Sequence, residues 1–440
     1  MTANEHAAEA FESTAAQATS LSENTPANQT THKQVSKQVL SRASSSIVQI
    51  QALFEGNTEK SSHGTGFIVG PNGLAITNYH VVSDRVLHPA KYQLQYRTAA
   101  GKQGAVELLA IDVIHDLALV RLSDMTARPL ALAQDLPRHG ERAYAIGYPL
   151  DVGLTLTEGI SNGLVANAFG ERLHYAGAIN SGMSGGPTLD VNGAVIGINV
   201  AAYRTRQSVG FLVPAEHART LLTQHDKAPE LRPTPADFKA EISRQLHRHA
   251  NALLAELPAQ FPSQRARHLS LPGKPVAFFD CAAGGSPSLD QPVRYQTRQC
   301  SAQAGIFIDG TLTTGDISFE HNIFESAKLD SIRFSNYLEA RMVTSARESF
   351  GNWAPTREFS PIKCEQRVVR NHGVDLVASI CARQYQRFPG LYDLSLSFVT
   401  SPTALYGVTS KLSLTGMPFD PAFAVIERYL AAITAEVDGS

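Results

Sequence analysis

Between residues 35 and 222 the apolar residues come in short runs, each cut off by turn residues. The runs include "TGFIVG", "LAITNYHVV", "QLQYR", "AVELLAID", "LALVRL", "AYAIGY", "GAVIGINVAAY" and "SVGFLVP". Between them stand strong turn signals, among them "PNG" at 71–73 and "NG" at 192–193. Many short strands with this punctuation pack as an all-β sandwich or barrel, so that is the expectation for this block. The strand-like pattern is read as starting in "SKQVLSRASSSIVQIQALF", at Ser36, and ending near Leu222.

The flanks differ. Residues 1–32 are rich in Ala, Thr, Ser, Asn and Glu and are expected to be a disordered tail, because they offer too little apolar surface to offset chain entropy. Residues 33–224 are then one folded unit and 225–236 a linker, "HDKAPELRPTPAD", with three prolines. Residues 237–440 are expected to form an α+β domain. Its first helix has Thr234 as cap and Pro235 at the first helical position, with Phe238, Ile242, Leu246, Leu253 and Leu257 on one face. Helical segments are also expected near 325–349 and at "DPAFAVIERYLAAITAEV", among strand-like runs such as "GIFID" and "LYDLSLSFV".

One motif carries chemistry. Ser184 lies in "GMSGGP", a G-x-S-x-G. Read as a nucleophile elbow it would need a helix after it and a partner order of serine, acid, histidine. The chain after Ser184 instead reads "GGPTLDVNGAVIGINVA", where Asn192-Gly193 marks a hairpin, so the elbow reading fails. Upstream, "AITNYHVV" places His80 at the end of a strand, and Asp116 opens "DLALVRL", at the mouth of the next. A serine hydroxyl needs a base to take its proton and an acid to orient that base. His80, Asp116 and Ser184 supply the set.

Those residues and their surroundings resemble the HtrA/Deg branch of trypsin-like serine proteases. The matching pieces are "GTGFIV" (64–69), "NGLAITNYHVV" (72–82), "DLALVRL" (116–122), "AINSGMSGGP" (178–187), "GAVIGINVA" (193–201) and "VGFLVP" (209–214). The resemblance implies a chymotrypsin-like double β-barrel with the triad in the cleft between barrels. It implies Ser184 as nucleophile, His80 as general base and then acid, and Asp116 as the group that fixes the His80 tautomer. It assigns the oxyanion hole to the loop Gly182, Met183 and Ser184, with the Gly182 and Ser184 N–H groups as donors. Met183 stands where the family usually has Asn and digestive proteases have Asp. With no acid there, activation by an N-terminal salt bridge is not expected. Ala178 and Ile179 should lie at the base of the primary pocket and Val200 and Ala201 along a wall, favouring a small apolar residue before the scissile bond. The C-terminal half carries no PDZ-like signature.

Composition bounds the partners. The net charge is −2 and no dense basic run exists, so nucleic acid is not an expected partner. No stretch of about 18 apolar residues is present for a membrane helix. The four cysteines, Cys281, Cys300, Cys364 and Cys381, lack metal-ligand spacing, and no metal or cofactor is expected. Their two local pairs suggest disulfides Cys281–Cys300 and Cys364–Cys381, and with them a periplasmic or secreted location. The polar start is not a secretory signal as written, which leaves the cytoplasm as the alternative. The expected activity is endopeptidase cleavage of extended or unfolded polypeptide, with a homo-oligomer possible. Two rivals stand beside it: a catalytically silent binding protein, and an esterase on the same barrels.

Overall fold

The computed structural model describes residues 26–56, 60–149, 152–200, 210–229, 232–286, 290–348, 350, 358–403 and 405–436. The first six strands are β1 (Ile47–Phe54), β2 (Lys60–Ile68), β3 (Leu74–Thr77), β4 (Tyr92–Thr98), β5 (Gln103–Asp112) and β6 (Leu117–Leu122). They close into an antiparallel barrel in the order β1-β2-β3-β6-β5-β4. The next six are β7 (Glu141–Gly147), β8 (Thr155–Leu164), β9 (Leu173–Ala176), β10 (Pro187–Leu189), β11 (Val195–Val200) and β12 (Gly210–Pro214). They close a second barrel in the order β10-β11-β12-β9-β8-β7. The chymotrypsin-like double barrel is thus present. The turn signals fall where expected: Asn72 and Gly73 both take positive φ between β2 and β3.

Three helices depart from the sequence expectation. Helix α1 (Pro26–Ala43) occupies the stretch expected to be a strand from Ser36 and runs back into the stretch expected to be a disordered tail. Val35, Val39, Leu40 and Ala43 recur at helical spacing and pack on the core between the barrels. Helix α2 (Tyr79–Leu87) carries His80, and α3 (Ala215–Asp226) closes the double barrel with Ala215, Ala218 and Leu221 inward. The i, i+3, i+6 spacing of those three is the sequence signal for α3.

Helix α4 (Pro235–Ala255) bridges two cores. Thr234 and Asp237 form a reciprocal capping box at its start, with Pro235 in the first turn. Phe238, Ile242 and Leu246 join Val82, Val86, Ile111 and Val113 of the first barrel in one cluster. Leu253 and Leu257 face the core of the C-terminal region instead. Each such buried side chain contributes roughly 1.5–3 kcal/mol. Between the two faces, the Gln245 side chain accepts from Val113 N (2.7 Å) and donates to Ile111 O (2.9 Å). It satisfies backbone groups of the first barrel from a C-terminal helix.

The C-terminal α+β region starts with β13 (Ser263–Ala266) and β14 (Leu269–Pro272), then β15 (Asp280–Gly285) and β16 (Val293–Ser301). A two-stranded hairpin comes next, β17 (Ile306–Asp309) and β18 (Leu312–Thr314), then β19 (Ile317–Ser326) and helix α5 (Ser331–Glu348). Strands β20 (Lys363–Asn371), β21 (Val374–Gln384), β22 (Leu391–Thr400) and β23 (Tyr406–Pro418) lead to helix α6 (Phe419–Ala431) and the short β24 (Thr434–Ala435). Seven of these strands form one sheet in the order β15-β16-β19-β23-β22-β21-β20. Cys281 pairs directly with Cys300 across β15–β16, and Cys364 with Cys381 across β20–β21; both pairs are disulfide-bonded. The two cystines therefore cross-link the two exposed edges of the sheet, where strands are least held by neighbours.

Candidate active site

His80 sits in the first turn of α2, and Asp116 in the turn between β5 and β6. Two hydrogen bonds join the pair directly, and two more hold the Asp116 carbonyl on the residues just before His80. His80 N donates to Asp116 Oδ1 (2.9 Å), and the ring's Nδ1 lies 2.6 Å from Asp116 Oδ2. The Asp116 carbonyl accepts from Tyr79 N (3.0 Å) and from Asn78 Nδ2 (2.8 Å). Asn78 stands at the cap position of α2 but turns its amide to Asp116. Asp116 holds a left-handed backbone, φ 54°, which an Asp tolerates better than most residues. With Nδ1–H donated to a carboxylate, the tautomer is set and Nε2 is the atom able to take a proton. Burial disfavours the charged ring, but the charge and hydrogen bond of Asp116 outweigh it, so the His80 pKa lies above the ordinary histidine value.

The Ser184 loop packs on β2 and on the residues just before His80. Ser184 is buried, and its carbonyl accepts from Thr65 N (2.8 Å) in β2. A Cβ on the next residue, Gly185, would strike Thr65, Thr77 and Asn78, so only glycine lets the loop lie this close to the start of α2. Gly182 has φ +93°, and a Cβ there would collide with the Tyr148 carbonyl.

Each peptide of the loop is pinned. Thr65 Oγ1 donates to Gly182 O (2.7 Å) and accepts from Tyr148 N (3.0 Å). Met183 O accepts from Gly186 N (3.0 Å) and Asn199 Nδ2 (3.2 Å), which turns the N–H of the same peptide, that of Ser184, to the opposite side. Gly185 N donates to Asn199 O (2.9 Å). Among the described residues no acceptor meets the Gly182 N–H.

Met183 contributes no donor, which corrects its expected place in the oxyanion hole. Its N–H goes to Asn180 O (3.0 Å), and its side chain is fully buried among Ala143, Ala145, Ile179 and Leu212. The loop is thus anchored by packing and neutral hydrogen bonds where an ion pair would otherwise serve. Ile179 is also part of that core, against Gly210, rather than an open pocket lining. Ala178 is exposed, Val200 is half-buried beside Phe211, and Ala201 lies outside the described residues.

Reasoning from sequence misses Thr65 and Asn199. Both are fully buried polar residues that hold the Ser184 loop, Thr65 from across the seam between the barrels and Asn199 from within the second barrel. Their signal is a polar residue set in an apolar strand, Thr in "GTGFIV" and Asn in "GINV". It also misses Phe307. The β17–β18 hairpin packs on α2, Tyr79 Oη donates to Ile308 O (3.1 Å), and the Phe307 ring stands 6.0 Å from the His80 ring, edge to face. His115, beside Asp116, is half-buried, bonded to Asp112 (2.7 Å) and stacked on His217 of α3 at 3.6 Å. Among the described residues no group of His, Cys, Asp and Glu is arranged to hold a metal ion.

Two β-barrels with this His–Asp pair and glycine-framed serine define a trypsin-like peptidase domain, and the family model of that description matches residues 64–198. The chain is similar to serine proteases of the HtrA and DegP-like kind. "Serine protease HTRA2, mitochondrial" of Bos taurus is 28% identical over 240 residues, covering 51% of this chain and 50% of that protein. "Probable periplasmic serine endoprotease DegP-like" of Chlamydia pneumoniae is 30% identical over 177 residues, 38% of this chain and 35% of that protein. Among solved structures, the serine endoprotease of Yersinia pestis superposes with TM-score 0.39 at 25% identity, over 44% of this chain and 67% of that one. The chain spans about half the length of the curated relatives it matches or less.

Proposed function

We propose that this chain is a serine endopeptidase that cleaves extended or unfolded polypeptide through an acyl-enzyme. The observation that carries the reading is the double hold of the Asp116 carboxylate on His80, at its backbone N–H and at Nδ1. It leaves Nε2 as base toward Ser184. Ser184 Oγ attacks the scissile carbonyl while His80 takes its proton; the amine leaves with that proton, and water repeats the sequence to release the acyl group. The N–H groups of Gly182 and Ser184 receive the oxyanion, a role in which one lost donor costs roughly 2.7–4 kcal/mol. The residue before the scissile bond is small and apolar, consistent with the absence of an acidic group at Ala178, Ile179 and Val200. Two cystines support a location outside the cytoplasm, in the periplasm or secreted.

The test is labelling of the purified chain by a small fluorophosphonate, run beside cleavage of an unfolded protein substrate. Wild type labels and cleaves, and Ser184→Ala does neither. A folded wild type that does not label sinks the peptidase in favour of a binding protein. Labelling with turnover of esters but not of peptides sinks it in favour of an esterase.

A further inference from the structure

The β17–β18 hairpin brings the C-terminal region beside His80. Side chains alternate along a strand. Ile306 and Ile308 are buried in the core shared with α2 and the first barrel, and Phe307 between them packs half-buried at the edge of that core, its ring 6.0 Å from the His80 ring. The hairpin is held firmly. Tyr79 bonds its backbone, and Asp309 is paired with Arg387 at 2.7 Å, which in turn pairs with Glu358 at 2.7 Å.

The same hairpin lines an open cleft. On one side stand Gly305 and Thr313 of the hairpin and Phe278 ahead of β15. On the other stand Phe169 of the β8–β9 loop and Phe211 of β12. The cleft has a volume of ≈ 870 Å³. Phe169, Phe211 and Phe278 are all half-exposed there, and the Phe169 and Phe278 rings meet across the gap at 5.2 Å between centroids. Half-exposed aromatic rings gathered in one concave surface are a site for apolar groups. Phe211 pairs in register with Val200, the expected wall of the primary pocket. At its other side Thr313 pairs in register with Phe307, so the cleft is lined by the strand partners of both Val200 and Phe307.

We propose that the C-terminal region completes the substrate groove: Phe307 walls it beside His80, and the Phe169–Phe278 cleft takes the extended substrate segment on the acyl side of the scissile bond. The class of ligand is an extended peptide carrying bulky apolar side chains in the positions before the cleaved residue. The inference rests on the peptidase reading above, since it is that reading which sets a peptide at Val200. In the order of the chain, such a peptide passes Phe278 and Phe169, then Phe307, then reaches Ser184.

The experiment compares two peptides with the same cleaved residue, one capped close to it and one extended by several apolar residues on the acyl side. The full chain is used, with fluorophosphonate labelling run in parallel. The wild-type kcat/KM is expected to be about tenfold or more higher for the long peptide. In Phe278→Ala and in Phe307→Ala the ratio of long to short falls toward one, and Phe307→Leu restores most of it. A variant that is merely damaged lowers both peptides alike and leaves the ratio at the wild-type value, which overturns the proposal. A wild type that labels but shows no length preference overturns it too, with the peptidase reading intact. A folded wild type that neither labels nor cleaves removes the peptidase reading, and this proposal with it.

Discussion

The two barrels are alike in topology and unlike in what they lean on. The first carries His80 and Asp116 and shares its core with α4, the β17–β18 hairpin and Tyr385, Phe388 and Leu391 of the C-terminal region. The second carries Ser184, keeps a small core of its own around Met183, and faces the C-terminal region across the aromatic cleft. The elements that carry His80 and Asp116 are therefore built into one frame with the C-terminal region. The Ser184 loop is held by its own barrel and, across the seam, by hydrogen bonds from Thr65.

The sharpest way to break the first-barrel half is Asp116→Asn. It removes the charge and the correct tautomer of His80 together, and kcat is expected to fall by about 10⁴. The pH profile carries a second sign. Only the neutral ring is a base, so kcat/KM of the wild type climbs as pH rises through the raised His80 pKa. Without the carboxylate that limb moves to lower pH. A profile that stays in place means another group sets it.

The second-barrel half breaks at Thr65→Val, which keeps the volume and deletes the hydroxyl joining Tyr148 N to Gly182 O. The loop is then free to turn, and kcat is expected to fall by about 10² with little change in KM. Thr65→Ser restores it. Loss in Thr65→Ser with none in Thr65→Val would mean that the methyl, not the hydroxyl, matters.

Legibility in the sequence divides along the same line. His80, Asp116 and Ser184 are legible because each lies in a local motif whose strand, turn or glycine frame is written beside it. The barrels are legible from their short punctuated runs, and α4 from its cap and its 3.6-residue spacing. The partners of Thr65, the inward turn of Met183 and the approach of Phe307 to His80 are not. Those depend on which segments meet: Thr65 and Gly182 lie 117 positions apart, and Tyr79 and Ile308 lie 229 apart. Helix α1 is easily mistaken for strand because its four apolar contacts run directly into the genuine strand β1.

The seam between the barrels has its own titrating group. His217 of α3 stacks on His115, one residue before Asp116, and burial with the neighbouring imidazole lowers its pKa to about 4. In the unfolded chain it returns to about 6.5. Between those values the unfolded state binds a proton that the folded state refuses, so stability rises with pH across the window and falls on acidification. Below pH 4 the cost levels off at roughly 3 kcal/mol. His217→Gln should flatten that part of the stability–pH curve. An unchanged slope would assign the acid limb to other groups, of which His321, buried in the C-terminal core with a pKa lowered to about 4, is the first to replace.

The smallest effect tests whether the first barrel and the C-terminal region share one frame. Gln245→Leu fills the same space but leaves Val113 N–H and Ile111 O, both next to the Asp116 turn, without their partner. Unpaired buried backbone groups cost about 1–3 kcal/mol, so the melting temperature should drop by a few degrees. The informative reading is cooperativity. Two regions that share one core should lose structure together, so a probe on the barrel and one on the seven-stranded sheet should give coincident transitions in both proteins, with the variant shifted as a whole. Transitions that separate in Gln245→Leu would mean that the Gln245 bonds were what coupled the regions, and that the apolar contacts of Phe238, Ile242 and Leu246 hold too weakly alone. Transitions already separate in the wild type would dissolve the contrast between the barrels, because the His–Asp pair would then stand in a frame of its own.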